Sequence, residues 1–250
     1  MEGQNSISTV IITHNESHNI KACLESLGTF SELVVVDSFS DDRTVAIAKS
    51  LADRVVDHEW LGFGKQKQLA TSLASHNWIL SIDADERCTP ELRTEISSLC
   101  LDDELTAYEI PRTTFFLGKK VKFAWGKDYV IRLFNKKIAN FNEVVVHEKV
   151  IGYKRLQRLS NNLEHHSYTT NSQIKKKMEL YSDLGAQEII KRRQLKPSWT
   201  TIIAKTIFSF VKVFFIRFGA LDGVTGYKIA CMVAKTTYLK YFKARRRFPR

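Results

Sequence analysis

Asp83 and Asp85, separated by one alanine, follow the apolar run Trp78-Ile79-Leu80-Ser81-Ile82. Two carboxylates two residues apart at a strand end can converge on one hard cation, as magnesium or manganese is held beside phosphates. The same pair also suits a solvated acidic turn, so its meaning depends on its company. Thr13-His14-Asn15-Glu16 ends another apolar run with polar groups that fit a nucleobase or ordinary turn hydrogen bonding. Asp37 closes Leu33-Val34-Val35-Val36, where its carboxylate suits a base or ribose, while Asp42 and Thr44 suit the cap of the next helix. Gly62-Phe63-Gly64-Lys65-Gln66-Lys67 offers backbone amides and two lysines. The patterns GxxxxGK[ST] and GxGxxG are missing, which excludes the usual ATPase and dinucleotide-binding readings. The adjacent pair His165-His166 suits a turn better than a metal site.

The elements that must position these groups alternate strand and helix. Strands are expected at 8–13, 33–37, 54–57 and 78–82, and helices at 17–27, 42–52 and 65–76, the second with Val45, Ala48 and Leu51 on one face. Thr89 and Pro90 mark a further helix start. Nearly uninterrupted apolar strands between helices predict an α/β fold with a mostly parallel sheet covered on both faces. Ligands in such sheets sit beyond the carboxyl ends of the strands, where Asn15, Asp37, Asp83 and Asp85 all fall. Strand-like pieces at 107–112, 130–135 and 144–150 extend the sheet and carry the second half of a site. Beyond Ser167 the chain turns helical and basic, with Ile174, Met178, Tyr181 and Leu184 as a stripe and an apolar run from Trp199 to Phe218. The expected division is a catalytic domain at 1–165 and a helical extension at 166–250.

This ordered set resembles the inverting glycosyltransferases of family 2, whose nucleotide-binding α/β/α sandwich is known as GT-A. The resemblance rests on Val10-Ile11-Ile12-Thr13-His14-Asn15-Glu16, on Val34-Val35-Val36-Asp37-Ser38 with Asp41-Asp42-Arg43-Thr44, and on Trp78 through Glu86. More narrowly the chain is similar to the branch that adds β-linked glucose to the core of lipopolysaccharide or lipooligosaccharide. That similarity rests on Gly62-Phe63-Gly64, Gln66-Lys67, Pro111-Arg112, Arg132-Leu133-Phe134 and Val146-His147-Glu148. The resemblance implies a UDP-sugar donor, with Thr13, Asn15, Glu16 and Asp37 around the uridine and Lys67 near the base or phosphates. Many relatives carry an Arg-Asn pair where this chain has Lys67-Gln68. It also implies Asp83 at the ribose or the metal, Asp85 on a manganese or magnesium ion, and His147 completing the metal shell or touching the diphosphate. Single-step inversion needs a base for the acceptor hydroxyl, and Glu148 is the candidate. Asp128 and Arg132 suit donor or acceptor binding, or a structural ion pair. A transferase for another surface glycan, whether on capsule, protein or lipid, fits the same motifs.

Charge separates the two parts of the chain. Residues 1–150 hold 17 Lys and Arg against 22 Asp and Glu, a net of −5, whereas residues 151–250 hold 21 against 5, a net of +16. A basic tail suits a polyanion, either nucleic acid or an anionic membrane. No zinc-finger or RNA-binding-sheet motif accompanies it, so the expectation is a membrane surface and no nucleic acid. Lys205 and Lys212 interrupt the 199–218 run, which favours a helix lying in the interface over one that spans. Tyr238, Tyr241 and Phe242 interleave with Lys240, Lys243 and Arg245–Arg247 as a second anchor, unless these helices pack back on the catalytic domain. The four cysteines form no CxxC pair, and the first residues lack the pattern of a signal peptide. The expected location is therefore cytoplasmic, peripheral on the cytosolic face of a bacterial inner membrane, with a lipid-linked saccharide as acceptor.

Overall fold

The computed structural model describes residues 6–28, 30–126, 128–143, 148–192 and 196–248. Its centre is strand β1 (Ile7–Thr13), buried along its whole length because it lies between two parallel partners. These are β2 (Glu32–Asp37) and β4 (Trp78–Asp83), and β3 (Arg54–Asp57) adds in parallel beyond β2. The register opposes Thr13 to Asp37, Ile12 to Asp83 and Asp37 to Asp57, so these residues share one end of the sheet.

Alternation along each strand divides the apolar side chains between two faces. Ile7, Ile11, Val35, Leu80 and Ile82 pack with Ile20, Cys23, Leu24 and Leu27 of helix α1 (Ile20–Leu27). Val10, Ile12, Val34, Val36 and Ile79 pack with Ala70 of helix α3 (Phe63–Leu73). Helix α2 (Thr44–Lys49) is shorter than expected, and Leu51 lies outside it, 38% exposed. Its start follows Asp42, whose carboxylate accepts the Thr44 N–H at 2.8 Å and the Ser17 N–H at 3.2 Å. Gly62, at φ 91°, turns the chain directly into α3, so Phe63 and Gly64 belong to the helix and not to a loop.

Beyond β4 the sheet turns antiparallel. Strand β8 (Asp128–Asn135) pairs with β4, and β6 (Thr106–Phe116) with β8, with the short strands β7 (Lys119–Lys120) and, in parallel, β11 (Arg155–Arg158) also pairing with β6. At the far edge β5 (Glu86–Cys88) pairs antiparallel with β12 (Leu163–Tyr168). Helix α4 (Pro90–Ser97) begins at Thr89, whose hydroxyl accepts the Leu92 N–H at 3.2 Å. The short strands β9 (Asn140–Phe141) and β10 (Val150–Ile151) form an antiparallel pair whose connection carries Glu148. Of the strand expected at 144–150, residues 144–147, including His147, lie outside the described residues.

The chain divides into two compact units, one formed by 1–113 with 128–166 and the other by 114–127 with 167–250. The segment 114–127, which the sequence reading places in the first domain, belongs to the second. That unit holds helix α5 (Asn171–Arg192), helix α6 (Trp199–Val211) and helix α7 (Gly223–Arg247) around Phe116, Val121, Ala124, Val213, Ile229 and Ala230. The apolar stripe read for α5 is covered in part: Ile174 packs against this core, Tyr181 is exposed, and the fully buried positions are Ser182 and Ala186. Small residues admit α7 closely, and Lys243 reaches across to Glu179, Ser182 and Asp183. The apolar run 199–218 is likewise broken, passing from α6 into a π-helical turn at Lys212–Ile216 and then to Phe218 in the left-handed region.

Candidate active site

Charged side chains of the first unit form a chain across the carboxyl end of the sheet. The Lys67 ammonium, on α3 and almost fully buried, lies 2.8 Å from Asp83 Oδ1 and 2.8 Å from Glu148 Oε1. Arg132, from β8, pairs with the other oxygen of Asp83 and, at 2.6 Å, with Glu86 Oε1. Arg112, from β6, spans Glu86 at 2.9 Å and Asp128 at 2.6 Å. Cations and carboxylates therefore alternate from Glu148 to Asp128, which is how charges survive burial. Burial pushes the Asp83 carboxyl up, but the Arg132 guanidinium and then the Lys67 ammonium overcome it and hold the group well below the usual carboxylate range. Burial would lower Arg132, yet Asp83 and Glu86 raise it above its ordinary value. Beneath them the buried Cys23 thiol is pushed well up, first by desolvation and then by Glu86, Asp85 and Asp83.

The two aspartates of Asp83-Ala84-Asp85 thus differ. Asp83 is held by two cations of the protein itself. Asp85 turns toward His165, whose Nε2 lies 3.4 Å from its Oδ2. His165 and His166 sit in strand β12, with His165 opposite Glu86 in register, and not in the turn that their adjacency suggested. His166 Nε2 lies 3.1 Å from Glu164, and desolvation lowers its pKa. One carboxylate and one imidazole side by side suit a hard divalent cation that draws its remaining ligands from phosphate oxygens and water. Among the described residues no three His, Cys, Asp or Glu side chains gather as a complete protein cage. His147, the other metal ligand expected from the sequence, lies outside the described residues.

The residues expected around a nucleoside gather at the same sheet end, where β1 and β2 stop. Asp37 is fully buried, and its two oxygens accept the Ser40 N–H at 2.7 Å and the Ser40 hydroxyl at 2.6 Å. The Ser40 hydroxyl in turn accepts the Asn15 N–H at 2.8 Å, and the Asn15 side chain accepts the Asp41 N–H at 3.0 Å. Asn15 adopts φ 55°, a conformation that asparagine tolerates better than most residues. Asp37 therefore shapes the 38–41 loop around Asn15. The Glu16 carboxylate accepts from the Asn19 amide at 2.8 Å. The Thr13 hydroxyl is buried without a hydrogen-bond partner among the described residues. Lys67, expected near the base or phosphates, lies between Asp83 and Glu148.

Sequence reasoning brought out Lys67, Asp83 and Glu148 but not their mutual contact. It gave no role to Glu86, Arg112 or His165, although Glu86 directly follows the Asp-x-Asp segment and Arg112 lies in a motif already noted. The adjacency of His165 and His166 suggests a turn, whereas His165 reaches the site through the pairing of β12 with β5.

Residues 8–179 match the family model described as glycosyl transferase family 2. A protein of Rickettsia prowazekii (strain Madrid E) named as an uncharacterized glycosyltransferase is 33% identical over 96% of this chain and 86% of its own length. The lipopolysaccharide core biosynthesis glycosyltransferase LpsC of Rhizobium meliloti (strain 1021) is 27% identical over 96% of this chain and 94% of its own. Among solved structures, the mannosyltransferase PcManGT from Pyrobaculum calidifontis in complex with GDP-Man and Mn2+ is similar with a TM-score of 0.55 at 15% identity. That likeness covers 96% of this chain and 86% of the archaeal one, and it speaks for the fold alone.

Proposed function

The chain belongs to glycosyl transferase family 2 and has the GT-A fold, and from that premise we propose that it moves a hexose, glucose in our reading, from a UDP-sugar to a lipid-linked core saccharide of lipopolysaccharide or lipooligosaccharide. The observation that carries the reading is the single Lys67 nitrogen shared between Asp83 and Glu148. It fixes a carboxylate from the 142–149 connection beside the sheet-end aspartates, where an acceptor hydroxyl can meet a nucleotide-bound sugar. Glu148 then takes the hydroxyl proton as the acceptor oxygen attacks the anomeric carbon, and the bond to the diphosphate breaks with its electron pair leaving on UDP. Thr13, Asn15, Glu16 and the loop held by Asp37 form the side that receives uridine. Asp85 and His165, with His147 as expected from the sequence, are the residues that would hold a manganese or magnesium ion. Such an ion neutralises charge that develops on the leaving diphosphate. Asp83 is the positioning group that keeps Lys67 and Arg132 in place.

The LpsC similarity supports the core-saccharide acceptor, and the Mn2+ in the archaeal mannosyltransferase supports the cation. A lipid-linked acceptor calls for a protein that works at a membrane, and we place this one as a peripheral protein on the cytosolic face of a bacterial inner membrane. Support comes from the net of +16 in residues 151–250 and from Trp199–Ile216, long and apolar enough to cross a membrane and only 11% buried. At about 100° per residue, Trp199, Ile203, Ala204, Ile207 and Phe208 share one half of α6, while Lys205 falls just beyond its edge and Lys212 follows the last residue of the helix. That distribution suits a helix lying in the interface with its lysines at headgroup level.

The test is nucleotide release from a panel of UDP- and GDP-sugars with Mn2+ or Mg2+, in the presence and absence of truncated core saccharides. UDP release from UDP-glucose that needs both acceptor and metal is the expected result. Release confined to GDP-sugars would overturn the donor, and release unaffected by a chelator would overturn the role given to Asp85 and His165.

A further inference from the structure

The connection between α6 and α7, together with the first turn of α7, exposes apolar side chains. Phe218 is 63% exposed, Leu221 67% and Val224 69%, preceded by Phe215 at 60% and Ile216 at 59%. Most apolar residues of a folded chain find cover, and a run of large ones left bare marks an interaction surface. The backbone beneath them is tightly specified. After the π-helical turn Lys212–Ile216, Phe218 takes φ 57°, an unfavourable conformation for a bulky residue without a compensating purpose. Gly219 and Gly226 allow the turn to close on itself, since a Cβ on Gly226 would collide with the Gly219 carbonyl oxygen. Asp222 ties the turn down from inside. Its carboxylate accepts the N–H groups of Lys122 and Phe123 at 3.0 Å and of Ala124 at 2.8 Å. A turn held this firmly does not expose Phe218, Leu221 and Val224 through looseness.

Cations surround it. The 119–124 segment, whose backbone Asp222 caps at 122–124, carries Lys119, Lys120 and Lys122, and the turn itself is flanked by Lys212, Arg217 and Lys228, all exposed. Asp222 is the one carboxylate in segments 114–127 and 205–235, and its oxygens are engaged by backbone. An apolar tip ringed by cations is complementary to anionic headgroups above an acyl layer.

We propose that the 215–224 turn inserts into the acyl layer of an anionic lipid bilayer, with Phe218, Leu221 and Val224 as the inserted side chains and the lysines and Arg217 meeting the headgroups. The proposal rests on the peripheral-membrane reading above and adds where the contact is made. It also distinguishes this turn from the outward half of α6, which offers apolar surface with cations along one edge only.

The experiment compares full-length protein with the triple variant Phe218→Asn, Leu221→Ser, Val224→Ser in cosedimentation with phosphatidylcholine vesicles, with and without phosphatidylglycerol. Asparagine keeps the left-handed conformation accessible at 218. The wild type should pellet with phosphatidylglycerol vesicles, and the variant's partition coefficient should fall at least about a hundredfold, each lost apolar contact being worth roughly tenfold. As a second probe, Leu221→Trp should shift its tryptophan emission to the blue on adding those vesicles. Wild-type binding that the triple variant retains, or an unmoved Leu221→Trp emission, overturns the tip while leaving the peripheral reading in place. Wild-type protein that pellets with neither vesicle overturns both. A wild-type dimer in light scattering that the triple variant turns into a monomer overturns the lipid in favour of a second copy of the chain.

Discussion

The sheet-end site and the helical unit treat charge and apolar surface in opposite ways. In the first unit apolar side chains are hidden on both faces of the sheet, and buried and half-buried charges at its carboxyl end alternate in pairs from Glu148 through Lys67, Asp83, Arg132, Glu86 and Arg112 to Asp128. In the second, large apolar side chains of α6 and the following turn are bare, and most nearby lysines face solvent. Pairing among buried charges fixes side chains within tenths of an ångström, which chemistry requires. Exposed apolar groups with unpaired cations tolerate a fluid partner. On the proposed reading, reaction belongs to one region and membrane location to the other, and the two should be separable by mutation.

The sharpest separation is expected at Asp85. Asp85→Ala should lower metal-dependent transfer by at least about a thousandfold, several kcal/mol of charge stabilisation at about 1.4 kcal/mol per decade. Vesicle binding should be untouched. Near-normal turnover with Mn2+ present would remove Asp85 from the metal and merge the two aspartates into one structural group.

A smaller effect, on stability and not on rate, is expected at Arg132. Arg132→Met strands Asp83 and the fully buried Glu86 without their shared cation, and breaking such a pair costs about 3–5 kcal/mol. Urea unfolding followed by circular dichroism would show the midpoint fall. An unchanged midpoint would mean that Lys67 and Arg112 suffice to neutralise both carboxylates.

These two residues also show how far the sequence could be read. The apolar runs that became β1, β2 and β4 are long and unbroken, so the parallel sheet and the place of Asp37, Asp83 and Asp85 at its carboxyl end were legible. The contacts that make the site were not. Lys67 meets Glu148 from 81 residues away, and Arg132 meets Asp83 from 49. Antiparallel additions bring in Arg112, Arg132 and His165, and their register depends on neighbours that composition does not disclose. The helical unit misled for a different reason. Apolar composition continues through residues 212–218, and the break lies in the backbone, at a π-turn, a left-handed Phe218 and the close approach of Gly219 to Gly226. In α5 the partner helix takes small side chains, so Ser182 and Ala186 are the buried positions, while of the apolar stripe Ile174 packs on the core and Tyr181 stays exposed.

The smallest effect concerns pH and the loop that frames the nucleoside side. Burial would raise the Asp42 carboxyl, but its bonds from the Thr44 hydroxyl and N–H and from Ser17 outweigh that and bring it down to about 2. A carboxyl depressed on folding adds stability that is complete above its unfolded pKa of about 3.9 and is lost as pH falls toward 2. Asp42→Asn should therefore flatten the acid limb of the stability curve between about pH 4 and pH 2, leaving the curve above pH 5 parallel to wild type. An unchanged acid limb would show that Asp42 is as well solvated in the folded chain as in the unfolded one.

Glu148 tests the central claim most directly, because Lys67 joins it to the donor side of the site while the reaction asks it to serve the acceptor. The measurement is turnover and UDP-sugar affinity determined on one preparation of Glu148→Gln, a substitution that keeps the shape and removes the base. The account predicts a turnover lower by roughly 10²–10⁴-fold with the donor dissociation constant changed by less than about threefold. Unchanged turnover with weakened donor binding would contradict it, placing Glu148 in the donor-binding shell and leaving the proton of the acceptor hydroxyl to another group.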